Sequence, residues 1–372
     1  MKRWILLLLL CAPVARAEER FLIERIDVRH LVHASAEVIR AETRLREGET
    51  YAEGELRAAS DRVRRLPFVL DDTFSLERGS VRDAYVLVIT VTETHPLFYQ
   101  LEMVPFFDSR NAIGPIDFDQ ILGARWFGGR RDVFHLAGLG HQSERPFETD
   151  YVALQAGYTR YGLFHDRAFA TLTVNRLKPK GNGKAPIVPG ALVGISLTPN
   201  QTLTVSYTEN DSGGPNRRVD RIFEPRLAYN TTNHPYFPSQ GSLISIAPVV
   251  AWVDSVDFLH TPVHDFDVAL DGHAARYWPL TEHLTAAAIA DGGFLQVDQK
   301  AGGNRSFHIA YGRAALQLSH TAGEDRRIEL TVRGVSHERD QLPLRSEVNE
   351  ASLSWVQRSA WGVLRLGVGY AW

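Results

Sequence analysis

Fourteen histidines in a chain of 372 residues are the first place to look for acid–base or metal chemistry. They are scattered. His135 and His141 share a segment but stand six apart, His260 and His264 lie near a loop, and no His-Glu-x-x-His occurs. A metal site needs convergent ligands at short spacing, so none is expected. Ser319 and His320 are adjacent, but neighbours on a strand point to opposite faces, which argues against a nucleophile–base pair. The fragment Gly138-Leu139-Gly140 is not followed by a helical pattern, and neither a P-loop nor a Gly-x-Ser-x-Gly elbow is present. Asp71 and Asp72 read as turn residues before a strand. The only thiol is Cys11, near the start. No catalytic, cofactor or metal residues are expected, and the chain does not read as an enzyme.

The elements that frame these residues begin with an export signal. Lys2 and Arg3 precede the apolar run Ile5 to Leu10, and Ala15-Arg16-Ala17 follows as a small-x-small cleavage site. The run is too short for a spanning helix, which needs roughly 20 residues. Residues 1–17 are expected to be removed with Cys11, leaving a chain that starts at Glu18 and cannot use disulfides or thiolates. The 41 basic and 44 acidic residues form no basic stripe, so nucleic acid is not an expected partner.

Residues 21–95 read as a small α+β domain in the order β-α-α-β-β. A strand runs over 22–28, a helix follows Ser35 as N-cap, and a second helix spans 51–66. Leu56, Ala59, Val63 and Leu66 share one face of that helix and Pro67 ends it. Strands follow at 73–76 and 84–93.

From residue 98 to 372 helical patterns give way to short strands separated by turn residues. The segments are 98–106, 115–126, 132–142, 149–159, 165–178, 187–198, 201–211, 219–230, 241–254, 265–279, 282–297, 306–320, 326–337, 346–358 and 361–372. Short connections at Gly128-Gly129, Tyr161-Gly162, Pro199-Asn200 and Pro279-Leu280 alternate with longer loops at 107–114, 143–148, 179–186 and 255–264. That asymmetry, with Leu172 and Val174 set against Thr171, Thr173 and Asn175, is the apolar-out, polar-in repeat of an antiparallel transmembrane barrel. Trp126, Phe127, Tyr158, Tyr161, Trp278, Trp361 and Trp372 are candidates for interfacial girdles. Closure with both ends on one side demands an even count, so sixteen strands are expected, with fourteen as the alternative.

The stretch Tyr229-Asn230-Thr231-Thr232-Asn233-His234-Pro235-Tyr236-Phe237-Pro238-Ser239-Gln240-Gly241 resembles the turn signature of the BamA/TamA-type outer-membrane protein-assembly and two-partner-secretion transporter superfamily, with Thr232 where that signature carries Arg. The α+β domain resembles a single POTRA (polypeptide-transport-associated) module of that superfamily. The end Gly367-Val368-Gly369-Tyr370-Ala371-Trp372 resembles its alternating C-terminal insertion signal, carried here by Tyr370 and Trp372. The resemblance implies a surface-antigen-type barrel in a Gram-negative outer membrane, with the N-terminal domain in the periplasm. It implies outer-membrane lipids as partners, and unfolded outer-membrane or secreted polypeptides as clients. It also implies a long sixth outer loop with an arginine tip. Here the corresponding connection, 298–305, is short, and Arg305 is the candidate tip. Val332-Arg333-Gly334-Val335 lies in a later segment and reads as barrel wall.

Two functions follow as expectations. In the first, Val86, Val88 and Val91 of the last POTRA-like strand form a client-docking edge, and the barrel inserts or translocates the client. In the second, the barrel is a passive or structural pore that has lost that machinery.

Overall fold

The computed structural model describes residues 19–107, 113–128, 131–142, 151–164, 167–179, 186–198, 200–211, 218–256, 262–299, 305–339 and 344–371. Residues 1–17, expected as an export signal, and Trp372 lie outside them.

The N-terminal domain contains β1 (Arg20–Arg29), α1 (Ala36–Thr43), β2 (Glu49–Ala52), α2 (Glu53–Arg64), β3 (Val69–Arg78) and β4 (Ala84–Glu93). Ser35 caps α1 by accepting from the Glu37 amide at 3.1 Å, as its side chain predicts. Glu55 reaches back to the Ala52 amide at 2.8 Å and holds the first turn of α2. Leu56, Ala59 and Val63 turn into a core with Ile23, Ile39, Phe68, Leu87 and Ile89. The strand order is β2-β1-β4-β3. The sequence reading lacked β2, whose four residues are too short for alternation to register.

That order overturns the proposed docking edge. β4 pairs in parallel with β1 and antiparallel with β3, so both its hydrogen-bonding sides are occupied. Val86, Val88 and Val91 are buried. Their apolar alternation reflects a central strand covered on its faces, and the sheet ends instead at β2 and β3.

The second part is a closed barrel of fifteen strands, β5 (Leu97–Phe107) to β19 (Gly362–Ala371). β6 to β10 are Ile113–Gly128, Asp132–Gln142, Tyr151–Leu163, Ala168–Pro179 and Ile187–Thr198. β11 to β15 are Gln201–Asp211, Val219–Asn230, Gly241–Val256, Pro262–Pro279 and Leu284–Gln299. β16 to β18 are Arg305–Thr321, Arg326–Arg339 and Leu344–Ser359. Neither sixteen nor fourteen is correct. Successive strands are antiparallel, and an odd number closes because β19 meets β5 in parallel, from Gly362–Tyr99 to Tyr370–Phe107. The expectation failed on its premise that the last strand must finish beside the N-terminal domain.

The wall alternates as the sequence implies. On β14, Phe266, Val268, Leu270 and Trp278 are exposed, while Asp267, Asp271, His273 and Tyr277 lie on the other face. Outward aromatics gather in two rings. Trp126, Phe134, Tyr158, Tyr229, Trp278 and Trp361 sit toward the short turns, and Tyr207, Phe223, Trp252, Phe266, Phe294 and Tyr370 toward the loops. Phe266 and Trp278 are twelve residues apart on one strand. At about 3.3 Å per residue and a tilt of about 40°, they are separated by roughly 30 Å across the wall. That is close to the ~25 Å apolar band of a membrane barrel. Phe127 and Tyr161, expected in the girdle, instead face inward and join the N-terminal core, each with its ring edge-on to Phe68.

Candidate functional site

The signature turn 231–240 joins β12 to β13 at the barrel end that carries the N-terminal domain. Its shape is built locally. Asn230 Oδ1 accepts from the amide and hydroxyl of Thr232 at 2.9 and 2.7 Å, so Thr232 closes an Asx-type turn. Asn233 Oδ1 accepts from the Ser239 and Gln240 amides at 3.0 and 3.3 Å. His234 Nδ1 accepts from the Tyr236 and Phe237 amides at 3.0 and 2.9 Å. Pro235 and Pro238 donate nothing and need no partner at these positions. Gly241 ends the turn with φ of +102°, and a Cβ there would collide with the Thr231 carbonyl.

Pro235, Tyr236 and Pro238 close the turn-side end of a lumen cavity of about 390 Å³. Phe237 is buried, stacked on His234 at 5.8 Å, with the Arg327 and Arg358 guanidinium groups over its ring at 6.0 and 5.8 Å. Arg327 also donates to the Pro238 carbonyl at 3.2 Å. From below, α2 holds the same turn: Arg64 donates to the Asn233 carbonyl at 3.0 Å, and the following Arg65 to the Thr232 carbonyl at 2.9 Å. Arg358 ties wall, turn and domain together. It donates to the Leu70 carbonyl at 2.8 Å, contacts His234 Nε2 at 2.7 Å and pairs with Asp325 at 3.3 Å. The turn is thus a plug held by four arginines from two parts of the chain.

The plug fixes the state of its histidine. Burial, reinforced by the Arg358, Arg64 and Arg327 charges, holds the His234 imidazolium down to about 3. The ring is neutral at physiological pH, with the Nδ1 lone pair accepting the two amides.

Above the plug the wall is charged. Arg333 on β17 donates through Nε to Glu350 on β18 at 2.9 Å and also contacts it through Nη2. The Val332-Arg333-Gly334-Val335 segment is indeed wall. Arg365 on β19 pairs with Glu329 at 2.8 Å and, across the parallel seam, with Glu102 at 3.7 Å. Arg327 approaches Glu329 at 3.6 Å, and His273 meets Asp291 at 2.6 Å. At the seam the Phe106 ring lies over Gly369, leaving no room for a side chain there. Gly362 opens β19 with φ of +147° against the Tyr99 carbonyl.

Arg305 is not a loop tip. Its backbone is the first residue of β16 and pairs with Gln299, and its side chain lies outside the described residues. Tyr370 faces outward in the loop-side ring. Ser319 is buried while its neighbour His320 is exposed, so the two point apart. Sequence reading found the turn but missed its clamp. Arg64, Arg65, Arg327 and Arg358 come from α2 and two distant strands; the only available signal was their placement at element ends near the turn side.

A closed wall, apolar and twice girdled outside, ion-paired inside and capped by an α/β domain, is the architecture of a transmembrane β-barrel. Among solved structures the chain is similar to BamA from Haemophilus ducreyi lacking POTRA domains 1–3, at 14% identity and TM-score 0.46, covering 96% of this chain and 82% of that one. It is also similar to the NanC porin, at 10% identity and TM-score 0.27, covering 49% of this chain and 81% of that one. No protein-family model matches the sequence, and no curated protein does.

Proposed function

We propose that this chain is a polypeptide-handling barrel of a Gram-negative outer membrane, with its N-terminal domain in the periplasm acting as a POTRA-like module. It assists insertion of other barrel proteins or translocation of polypeptides. The observation that carries this reading is the seam. β5 and β19 are joined by a parallel ladder that lapses around Gly367–Val368, and parallel pairing is weaker per residue than the antiparallel pairing elsewhere in the wall. The lumen base is plugged, so the seam is the join that can yield to a client. An extended client would add to the outer edge of β3, which ends the N-terminal sheet.

The test is a reversible lock. Leu101 and Leu364 are register partners across the seam, and the only native cysteine is Cys11 in the signal segment. A Leu101→Cys/Leu364→Cys chain, oxidised, is expected to stop supporting other outer-membrane barrels or exported proteins in cells lacking the native copy, and to recover on reduction. Full support by the oxidised protein would sink the seam mechanism. The polar, ion-paired lumen favours a second reading, a passive pore. In that case the lock leaves conductance unchanged, and deleting the gene depletes no other envelope protein.

A further inference from the structure

A second polar site lies outside the plug, at the turn-side rim where α1 and β2 approach the end of β10. It is a pocket of about 360 Å³ lined by four arginines, Arg40, Arg44, Arg46 and Arg167, against one carboxylate, Glu49, with Leu45 and Leu197. Ser196 and Thr198 contribute from the lumen-facing side of β10, and Leu197, 52% exposed, from the membrane-facing side. The pocket therefore straddles the edge of the barrel. Its height is that of the turn-side aromatic ring, where lipid headgroups meet the wall.

Two of the arginines are committed within the protein. Arg44 bonds Ser196 Oγ, donates to the Thr198 carbonyl at 2.9 Å and lies 3.8 Å from Glu42; Arg46 lies 3.8 Å from Glu49. Arg40 and Arg167 show no ion pair or side-chain hydrogen bond among the described residues. Burial disfavours the Arg44 charge and the Glu42 carboxylate supports it, while Arg167 sits close enough to oppose it. Like charges gathered this way are stabilised by an anion. Leu197 sets exposed apolar surface against the cationic groups of the pocket, a pairing suited to an amphiphile whose anionic head and acyl tail part at this level.

We propose that this pocket binds the phosphodiester headgroup of an anionic phospholipid in the adjoining leaflet. Arg40 and Arg167 engage the phosphate, while Leu197 meets the glycerol and upper acyl carbons. Binding anchors α1, and with it the N-terminal domain, against the membrane surface. The proposal rests only on the barrel spanning a membrane, and is independent of whether it handles polypeptides.

The experiment uses the full chain, delipidated in detergent and titrated with phosphatidylglycerol, phosphatidylcholine or inorganic phosphate while bound lipid is counted by native mass spectrometry. Each arginine near an anionic surface contributes about a fivefold factor. Arg40→Gln/Arg167→Gln is therefore expected to bind phosphatidylglycerol roughly 25-fold more weakly than the parent. Arg82→Gln removes a charge from an exposed hairpin with 96% of its side chain accessible, and is expected to bind as the parent does. Arg40→Lys/Arg167→Lys, which keeps charge but loses the fork that matches phosphate, is expected to fall between. It serves as the test should the glutamine variant fail to fold. Unchanged phosphatidylglycerol binding in the glutamine variant, or equal binding of phosphatidylcholine, overturns the site. Displacement of phosphatidylglycerol by inorganic phosphate at equal concentration makes it a free-phosphate site and overturns the lipid assignment. A chain that fails to enter vesicles at all refutes the membrane reading instead.

Discussion

Replacing Arg358 by Met keeps the length of the side chain in the wall but removes what it donates. The hydrogen bond to the Leu70 carbonyl at 2.8 Å is from a charged donor and is worth about 1.5–3 kcal/mol. The cation over Phe237 at 5.8 Å adds about 0.5–1 kcal/mol. The pair with Asp325, whose side chain is 53% exposed, contributes less than about 1 kcal/mol after solvent screening. The loss is about 3 kcal/mol, and most of it falls on the plugged arrangement because the Leu70 bond joins the wall to the domain and the Phe237 contact joins it to the turn, whereas the Asp325 pair lies within the wall. A shift of that size multiplies the unplugged-to-plugged ratio by roughly a hundredfold. Planar-bilayer recordings of the purified barrel should show open events about that much more often in Arg358→Met than in the parent. Urea unfolding should shift to a lower midpoint. Identical opening frequency together with an identical midpoint would refute the assignment of Arg358 as the plug's anchor.

Other consequences can be checked in parallel. His234 is held at about 3 against 6.5 when unfolded, so the unfolded chain takes up the proton first. The stability contributed by the neutral ring is complete above pH 6.5 and drains as pH falls toward 3. The parent should therefore lose more stability than His234→Gln between neutral pH and about 4, measured as urea midpoints. Arg333→Gln removes a guanidinium partner of Glu350, whose side chain is 3% exposed, and should cost about 1–3 kcal/mol; Arg333→Gln/Glu350→Gln should recover most of it. Gly362→Ala puts a methyl group into the Tyr99 carbonyl at a positive φ and should destabilise the seam by about 1–3 kcal/mol, seen as a lower temperature for loss of the compact band on gels. Equal thermal behaviour of that variant and the parent would show that seam packing tolerates the change.

Strand positions in the wall were legible because lipid on one side and charge on the other impose strict alternation. The segments 187–198, 201–211 and 219–230 match β10, β11 and β12 at both ends. Fifteen segments were also readable, yet a closure rule borrowed from even-numbered barrels moved the expected count to sixteen, with fourteen as the alternative. Alternation describes each strand alone and carries no information about which strand meets which at the seam. The same limit explains β4: strong apolar alternation revealed a strand but not its place in the sheet, and the most apolar strand was the one most enclosed. The clamp on the plug was less legible still. Arginine side chains at element ends look like ordinary solvated charge until folding brings Arg64, Arg65, Arg327 and Arg358 around one turn. Phe127 and Tyr161 misled for a related reason, since an aromatic residue at a strand end can serve a membrane interface or a domain contact, and only the direction of its side chain decides.

The odd strand number has a consequence for biogenesis. β5 leaves the N-terminal domain and climbs toward the loops, and β19, running alongside it, climbs as well. Tyr370 and Ala371 therefore arrive at the far rim, a full bilayer away from the domain where the barrel's chain began. In an even-numbered barrel the terminal hairpin can be laid in with both its ends left on the side of entry. Here the leading end of the final strand has to be carried through the hydrocarbon before the wall can shut. The glycines at 367 and 369 make that end slim, and the aromatic at 370 gives it something to hold once it arrives at the loop-side rim.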